Sequence, residues 1–110
     1  MQNSESKHDV FQAIADPTRR RLLQLLSENE MSIASITKCF SISRTAINKH
    51  LKVLSEAGLV TSQRMGRETR YKLKPEPLSE LKQWLSVFDQ YWTSKLFDLK
   101  KYVESDDENQ

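Results

Sequence analysis

The chain contains a single cysteine, Cys39, so no intrachain disulfide can form, as in proteins kept in a reducing compartment. No apolar run approaches the roughly 20 residues that span a bilayer. The N-terminus, MQNSESKHDV, lacks the apolar core of a signal peptide. A cytoplasmic location with no membrane partner is expected. Histidine is scarce as well. His8, His50 and Cys39 lie far apart in the sequence and do not supply the about four N, S or O ligands that a zinc site needs. Nowhere do a nucleophile, a base and an orienting group fall together, which argues against an enzyme. No cofactor or metal is expected, and no internal repeat is present.

At 110 residues with 37% hydrophobic content, the chain is long enough for one domain but has little surplus core, which favours a dimer. Its net charge of +2 hides an uneven distribution. Residues 1–40 carry five basic and five acidic side chains. Residues 41–74 carry Arg44, Lys49, Lys52, Arg64, Arg67, Arg70, Lys72 and Lys74 against Glu56 and Glu68, a local charge of +6. Residues 75–110 come to −4. A basic middle with an acidic end implies a localised surface for a polyanion.

The basic stretch begins with a helix that has two unlike faces. Ser43 is suited to cap it, and Gly58 stands where a left-handed residue ends a helix. Ile47, Leu51 and Leu54 form one apolar stripe, while Thr45, Asn48, Lys49 and Lys52 share the opposite face. Amide, hydroxyl and cationic groups on the open side of a half-buried helix suit the DNA major groove.

The surrounding chain reads as a frame that holds this helix. Residues 1–5 are polar and expected to be unordered. Ser6 with Asp9 resembles a capping arrangement ahead of a short helix marked by Val10, Phe11 and Ile14. Asp16 caps a second helix that has Pro17 at its first position and Leu22, Leu23, Leu25 and Leu26 as its apolar face. Ser32 caps a third, with Ile33, Ile36 and Phe40 on its buried side, and the turn at 41–43 completes a helix-turn-helix. Val60–Arg64 and Thr69–Lys74 alternate as strands around Met65–Glu68, a hairpin that serves as a wing. From Leu78 to Val103 there is neither Pro nor Gly. Leu78, Leu81, Leu85, Phe88, Trp92, Leu96, Leu99 and Val103 form a stripe there, widened by Trp84, Tyr91 and Tyr102. A helix of that span is roughly 39 Å long, more apolar surface than one small body covers. The acidic tail, 104–110, is expected to be disordered. The fold class expected is mainly α with a two-stranded β wing, a winged helix-turn-helix domain over 6–103 that ends in a long dimerisation helix, 78–103.

Three blocks, DPTRRRLLQLL (16–26), SRTAINKHLKVLSEAGLV (43–60) and RMGRETRYKL (64–73), together resemble the ArsR-type winged-helix repressors in order and spacing. The resemblance runs from Asp9 to Lys74. It implies a homodimer that binds a partly palindromic operator in double-stranded DNA and leaves it on a signal. It also implies a dimer contact made by the first and last helices. Here that contact would comprise Phe11, Leu81, Trp84, Leu85, Phe88, Tyr91, Trp92, Leu96 and Leu99. The metal-sensing chemistry of the family does not carry over. Ser32 and Ala34 stand where arsenic- and lead-sensing members have paired thiols, and residues 78–103 contain no His. The chain is similar to the branch without known metal ligands, whose last helix is rich in aromatic residues.

Each candidate has a plainer reading beside the functional one. Ser43, Arg44, Thr45, Asn48, Lys49 and Lys52 form either a groove-reading face or an ordinary solvated one. Arg64, Arg67, Arg70 and Lys72 either contact phosphate and minor groove, Arg67 foremost, or keep an edge hairpin soluble. Arg19, Arg20 and Arg21 either touch phosphate or pair with neighbours. His50 leans toward the packed side and is read as a structural histidine, and Cys39 as a buried, inert thiol. The functional readings together describe a DNA-binding regulator, with repression as the family default. The alternatives are a winged-helix protein-interaction module or a metal-responsive repressor with an atypical site. A small-molecule effector between the last helices stays open.

Overall fold

The computed structural model describes residues 8–92 and Leu99. The residues expected to be unordered at 1–5, Ser6, Leu96, most of the last helix beyond Trp92 and the acidic tail lie outside the described residues. The elements run α1 (Val10–Ala13), α2 (Pro17–Glu28), β1 (Met31–Ser32), α3 (Ile33–Lys38), α4 (Arg44–Glu56), β2 (Val60–Met65), β3 (Glu68–Leu73) and α5 (Leu78–Ser86). The chain divides into two compact units, Met1–Ser79 and Glu80–Gln110.

Local chemistry fixes each helix start. Asp9 is the N-cap of α1, and its carboxylate and the Gln12 side chain make a reciprocal capping box. The start is therefore three residues later than a Ser6 cap would place it. Asp16 accepts from the Arg19 N–H at 3.1 Å with Pro17 in the first turn of α2. Ser32 accepts from Ser35, and Ser43 from Ala46, both at 3.1 Å. Helix α4 stops in a Schellman arrangement. The Gly58 N–H reaches the Ser55 carbonyl and the Leu59 N–H reaches that of Leu54, both at 2.9 Å. Gly58 has φ 77°, where an L side chain is strained.

The core gathers Leu22, Leu23 and Leu26 of α2, Ile33 and Ile36 of α3, and Ile47, Leu51 and Leu54 of α4 around Val10, Ala13, Leu59 and Val60. Each fully buried aliphatic side chain contributes about 1.5–3 kcal/mol. Leu25 is only half-buried, because it sits roughly 100° from the centre of the stripe formed by its three neighbours.

The sheet has three strands in the order β1-β3-β2, not the two expected. Met31 pairs with Tyr71 and Ser32 with Arg70, so the residues just before α3 become an edge strand for the wing. Strands β2 and β3 pair from Val60↔Leu73 to Met65↔Glu68, leaving Gly66 and Arg67 as a two-residue turn. Gly66 has φ 63° and no described non-glycine residue has positive φ, the pattern of a type II′ hairpin.

In the second unit the helix is not continuous. Residues 87–88 form a turn between α5 and helical residues 89–92. The Ser86 hydroxyl donates to the Gln83 carbonyl at 2.6 Å, the acceptor that the Val87 N–H would use in an α-helix. The Val87 N–H bonds to Trp84 O instead, and Phe88 to Leu85 O. Trp84, Leu85, Phe88, Tyr91, Trp92 and Leu99 are exposed, and Leu81 is half-buried. Trp84 and Phe88 meet edge-on with centroids 5.2 Å apart.

Candidate nucleic-acid interface

Helix α4 spans 13 residues, or about 20 Å. Ile47, Leu51 and Leu54 are buried, which turns Thr45, Asn48, Lys49 and Lys52 to the outside, and Arg44, about 60° from Ile47, is exposed in the first turn. Ser43 is also exposed. Its oxygen accepts the capping bond from Ala46, which leaves its O–H as a donor. The start of the helix thus offers hydroxyl and amide groups, and its flank offers ammonium groups.

The cations divide by what they touch. Among the described residues Arg44, Lys49, Lys52, Arg67 and Lys72 make no ion pair. Several arginines have internal work instead. Arg20 donates to Ile14 O at 2.8 Å, and Arg21 lies over the Phe40 ring, 4.7 Å from its centroid. Arg70 donates to Glu30 at 3.3 Å and Glu68 at 3.1 Å. Those two hydrogen bonds, Glu68 first and Glu30 second, raise its pKa further above the usual guanidinium value. The structure therefore places Arg70 as a strut between the wing and the residue before β1. The Arg64 Nε donates to Gly66 O at 3.2 Å, across its own turn.

Pleating also splits the wing cations. Arg64 pairs with Thr69, and Gln63 with Arg70, so Arg64 falls on one face with Thr69, Tyr71 and Leu73 while Arg70 and Lys72 fall on the other. Arg67, in the turn, belongs to neither ladder.

His50 is half-buried on the flank of α4, as its position suggested. Its Nδ1 lies 3.3 Å from Arg19 Nη1 and 3.9 Å from an Asp16 carboxylate oxygen. Arg19 also donates to Ala13 O at 2.7 Å and Gln12 O at 3.1 Å. Partial burial works to raise the Asp16 pKa, but hydrogen bonds from the Arg19 and Thr18 N–H groups and the nearby Arg19 guanidinium outweigh it and hold the carboxyl below its ordinary value.

Cys39 is exposed, not buried. Helix α3 ends at Lys38 and Cys39 is its C-cap, about 90° from the stripe of Ile33, Ile36 and Phe40, and its thiol lies 3.6 Å from Ser35 O. Phe40 is half-buried. Two apolar side chains not singled out in the sequence flank the polar surface: Ile42 in the turn before α4, 37% exposed, and Met65 beside the wing tip, 49% exposed. Both lie off the helical stripe, and that was the available signal. Among the described residues no group of three or more His, Cys, Asp or Glu is placed to hold a metal, and no helix is long and apolar enough to cross a membrane.

Known proteins share this arrangement. A family described as a helix-turn-helix domain matches residues 14–63, from the end of α1 into the wing. The transcriptional repressor SdpR of Bacillus subtilis is 36% identical over 81 residues, covering 74% of this chain and 90% of that protein. The HTH-type transcriptional regulator Rv2034 of Mycobacterium tuberculosis is 31% identical over 106 residues, covering 96% of each. The crystal structure of an ArsR family transcriptional regulator superposes with a TM-score of 0.67 at 31% identity, over 76% of this chain and 87% of that one. With its half-buried helix, exposed cations and wing, the chain belongs to the ArsR-type helix-turn-helix regulators and is a DNA-binding regulator of transcription.

Proposed function

We propose that this regulator is a cytoplasmic homodimeric repressor that lays α4 of each protomer in the major groove of a palindromic operator, with the wing tip on the flanking backbone. The observation that carries this reading is that five exposed cations on α4 and the wing, Arg44, Lys49, Lys52, Arg67 and Lys72, make no ion pair among the described residues. Those groups neutralise phosphates and supply most of the affinity. Ser43, Thr45 and Asn48 add sequence preference, since Asn pairs with both edge groups of adenine and Thr touches the thymine methyl. Arg64 and Arg70 have lesser parts because their guanidinium groups are already engaged.

The second copy is argued from α5 and the residues after it, where Trp84, Leu85, Phe88, Tyr91 and Trp92 lie exposed. Joined by a two-fold axis, two α4 helices would reach major grooves about 34 Å apart. Bound near a promoter, the dimer would exclude polymerase. Selection from a random-sequence duplex pool tests this. Inverted half-sites one helical turn apart, or a multiple of one turn, are the expected product. Unrelated or asymmetric sequences would overturn the reading.

Two further outcomes follow. Arg67→Ala should flatten the dependence of log K on log salt by about one released ion per protomer, measured by fluorescence anisotropy. Zinc or cadmium should leave operator affinity unchanged. Ser32 accepts from the Ser35 N–H and donates to the Ser35 hydroxyl, and Ala34 has no side-chain donor atom. A metal-induced loss of binding in the same titration would contradict this.

A further inference from the structure

Arg19 joins three elements. Its Nε and Nη2 hold the Ala13 and Gln12 carbonyls at the end of α1, its backbone N–H is fixed by Asp16 at the start of α2, and its Nη1 meets His50 Nδ1 on α4 at 3.3 Å. A guanidinium only donates, so this contact requires a lone pair on Nδ1 and puts the ring proton of neutral His50 on Nε2. Asp16 would favour the opposite tautomer, but at 3.9 Å from Nδ1 it is beyond hydrogen-bond range.

The location of that bond gives it a consequence for reading DNA. The fully buried contacts of α4 come from one stripe, Ile47, Leu51 and Leu54, while Ala46, His50, Val53 and Glu56 are only partly buried. Such a stripe resists lifting the helix but resists rolling it about its axis much less. His50 sits roughly 60° off the stripe, on the flank away from Asn48, so a directional bond there opposes roll. A roll of roughly 10° moves a group about 6 Å from the helix axis by about 1 Å, enough to break a bidentate contact to a base edge. Flexible lysine contacts to phosphate tolerate the same movement.

We propose that Arg19 is a positioning residue for sequence discrimination, acting through His50 to set the roll of α4 without itself contacting DNA. The inference rests on the reading of α4 as the groove-reading helix. It assigns Arg19 neither a phosphate nor a solvated role, and it gives the half-buried His50 a bond that matters for specificity.

The test compares Arg19→Lys, His50→Ala and His50→Asn with the wild-type chain on two probes: the duplex that the wild-type protein selects from a random pool, and a shuffled duplex of the same composition. Lysine keeps the charge of Arg19 but cannot hold two carbonyls and an imidazole at once. Asparagine places an acceptor oxygen close to the position of Nδ1 and does not titrate. Arg19→Lys and His50→Ala are expected to bind the selected duplex about tenfold more weakly and the shuffled one within about twofold of wild type. His50→Asn is expected to recover to within about threefold on both. Equal losses on the two probes, no loss on either, or an asparagine variant as weak as the alanine one would overturn the proposal. A wild-type chain that fails to distinguish the two probes would remove the groove reading itself, an outcome seen without any substitution.

Discussion

Lys49→Glu is expected to abolish measurable binding to the selected duplex, a loss of at least about a hundredfold, while leaving the fold intact. Lys49 lies mid-helix on the exposed face of α4, almost opposite Ile47, and pairs with no described acid. Loss of one good base contact costs about 1–3 kcal/mol. Reversing the charge adds repulsion from phosphates on either side of the groove, and every 1.4 kcal/mol is about tenfold. A two-fold dimer carries the change twice. Because the side chain is exposed, the folded state should shift by no more than about 0.5 kcal/mol. Calorimetric melting alongside the binding assay separates the two effects. Binding that survives within tenfold of wild type would show that Lys49 faces solvent in the complex.

Phe88→Glu is expected to convert the protein to monomers at micromolar concentration and to lower operator affinity by more than about tenfold. Phe88 sits 39% exposed in the turn after α5, edge-on to Trp84. Since Phe88 is only 39% exposed, a two-fold interface can remove from water at most about two-fifths of the roughly 150–250 Å² an aromatic side chain presents, at about 25 cal/mol per Å². Glutamate forfeits that area and places a carboxylate in the seam of both protomers. Sedimentation velocity reads the outcome directly. A Phe88→Glu variant still dimeric at micromolar concentration would take the seam away from this stripe, and with it the two-fold argument for half-site spacing.

The parts of the fold legible in the sequence are those fixed within a few residues. The caps at Asp16, Ser32 and Ser43, the stripe of Ile47, Leu51 and Leu54, and the stop at Gly58 each depend on groups no more than a turn or two apart. The strand edge at Met31–Ser32 has no such signal. Two residues show no alternation, and they become a strand only because Tyr71 and Arg70 arrive beside them. The same distance hid the fate of Arg70, whose partner Glu30 lies forty positions away. The division of wing cations between two faces is already implied by strands at Val60–Arg64 and Thr69–Lys74, which set Arg64 opposite Thr69 whether the turn has two residues or four. Cys39 was misplaced because it sits about 90° from the stripe of Ile33, Ile36 and Phe40 and caps α3 instead of lying within it. In α5 the apolar spacing was readable, but not the turn at 87–88, where the Val87 and Phe88 N–H groups bond to Trp84 O and Leu85 O.

The candidate site was readable in composition and only partly in geometry. Eight basic residues between 41 and 74 marked the region, yet the six that pair with no described acid and the two already engaged, Arg64 and Arg70, are different electrostatic objects. Folding sorts the cations into these two kinds. A guanidinium held between two carboxylates, as in Arg70, releases few counterions from DNA, whereas an unpaired ammonium releases about one per phosphate met.

That sorting is also what a single measurement tests most directly: the affinity of the wild-type protein for its selected duplex as salt is raised. If Arg44, Lys49, Lys52, Arg67 and Lys72 of two protomers face phosphates, log K falls linearly with log salt, with a slope of about −5 to −9. A slope near zero, or no affinity tighter than about micromolar even at low salt, would mean that these cations meet something other than DNA.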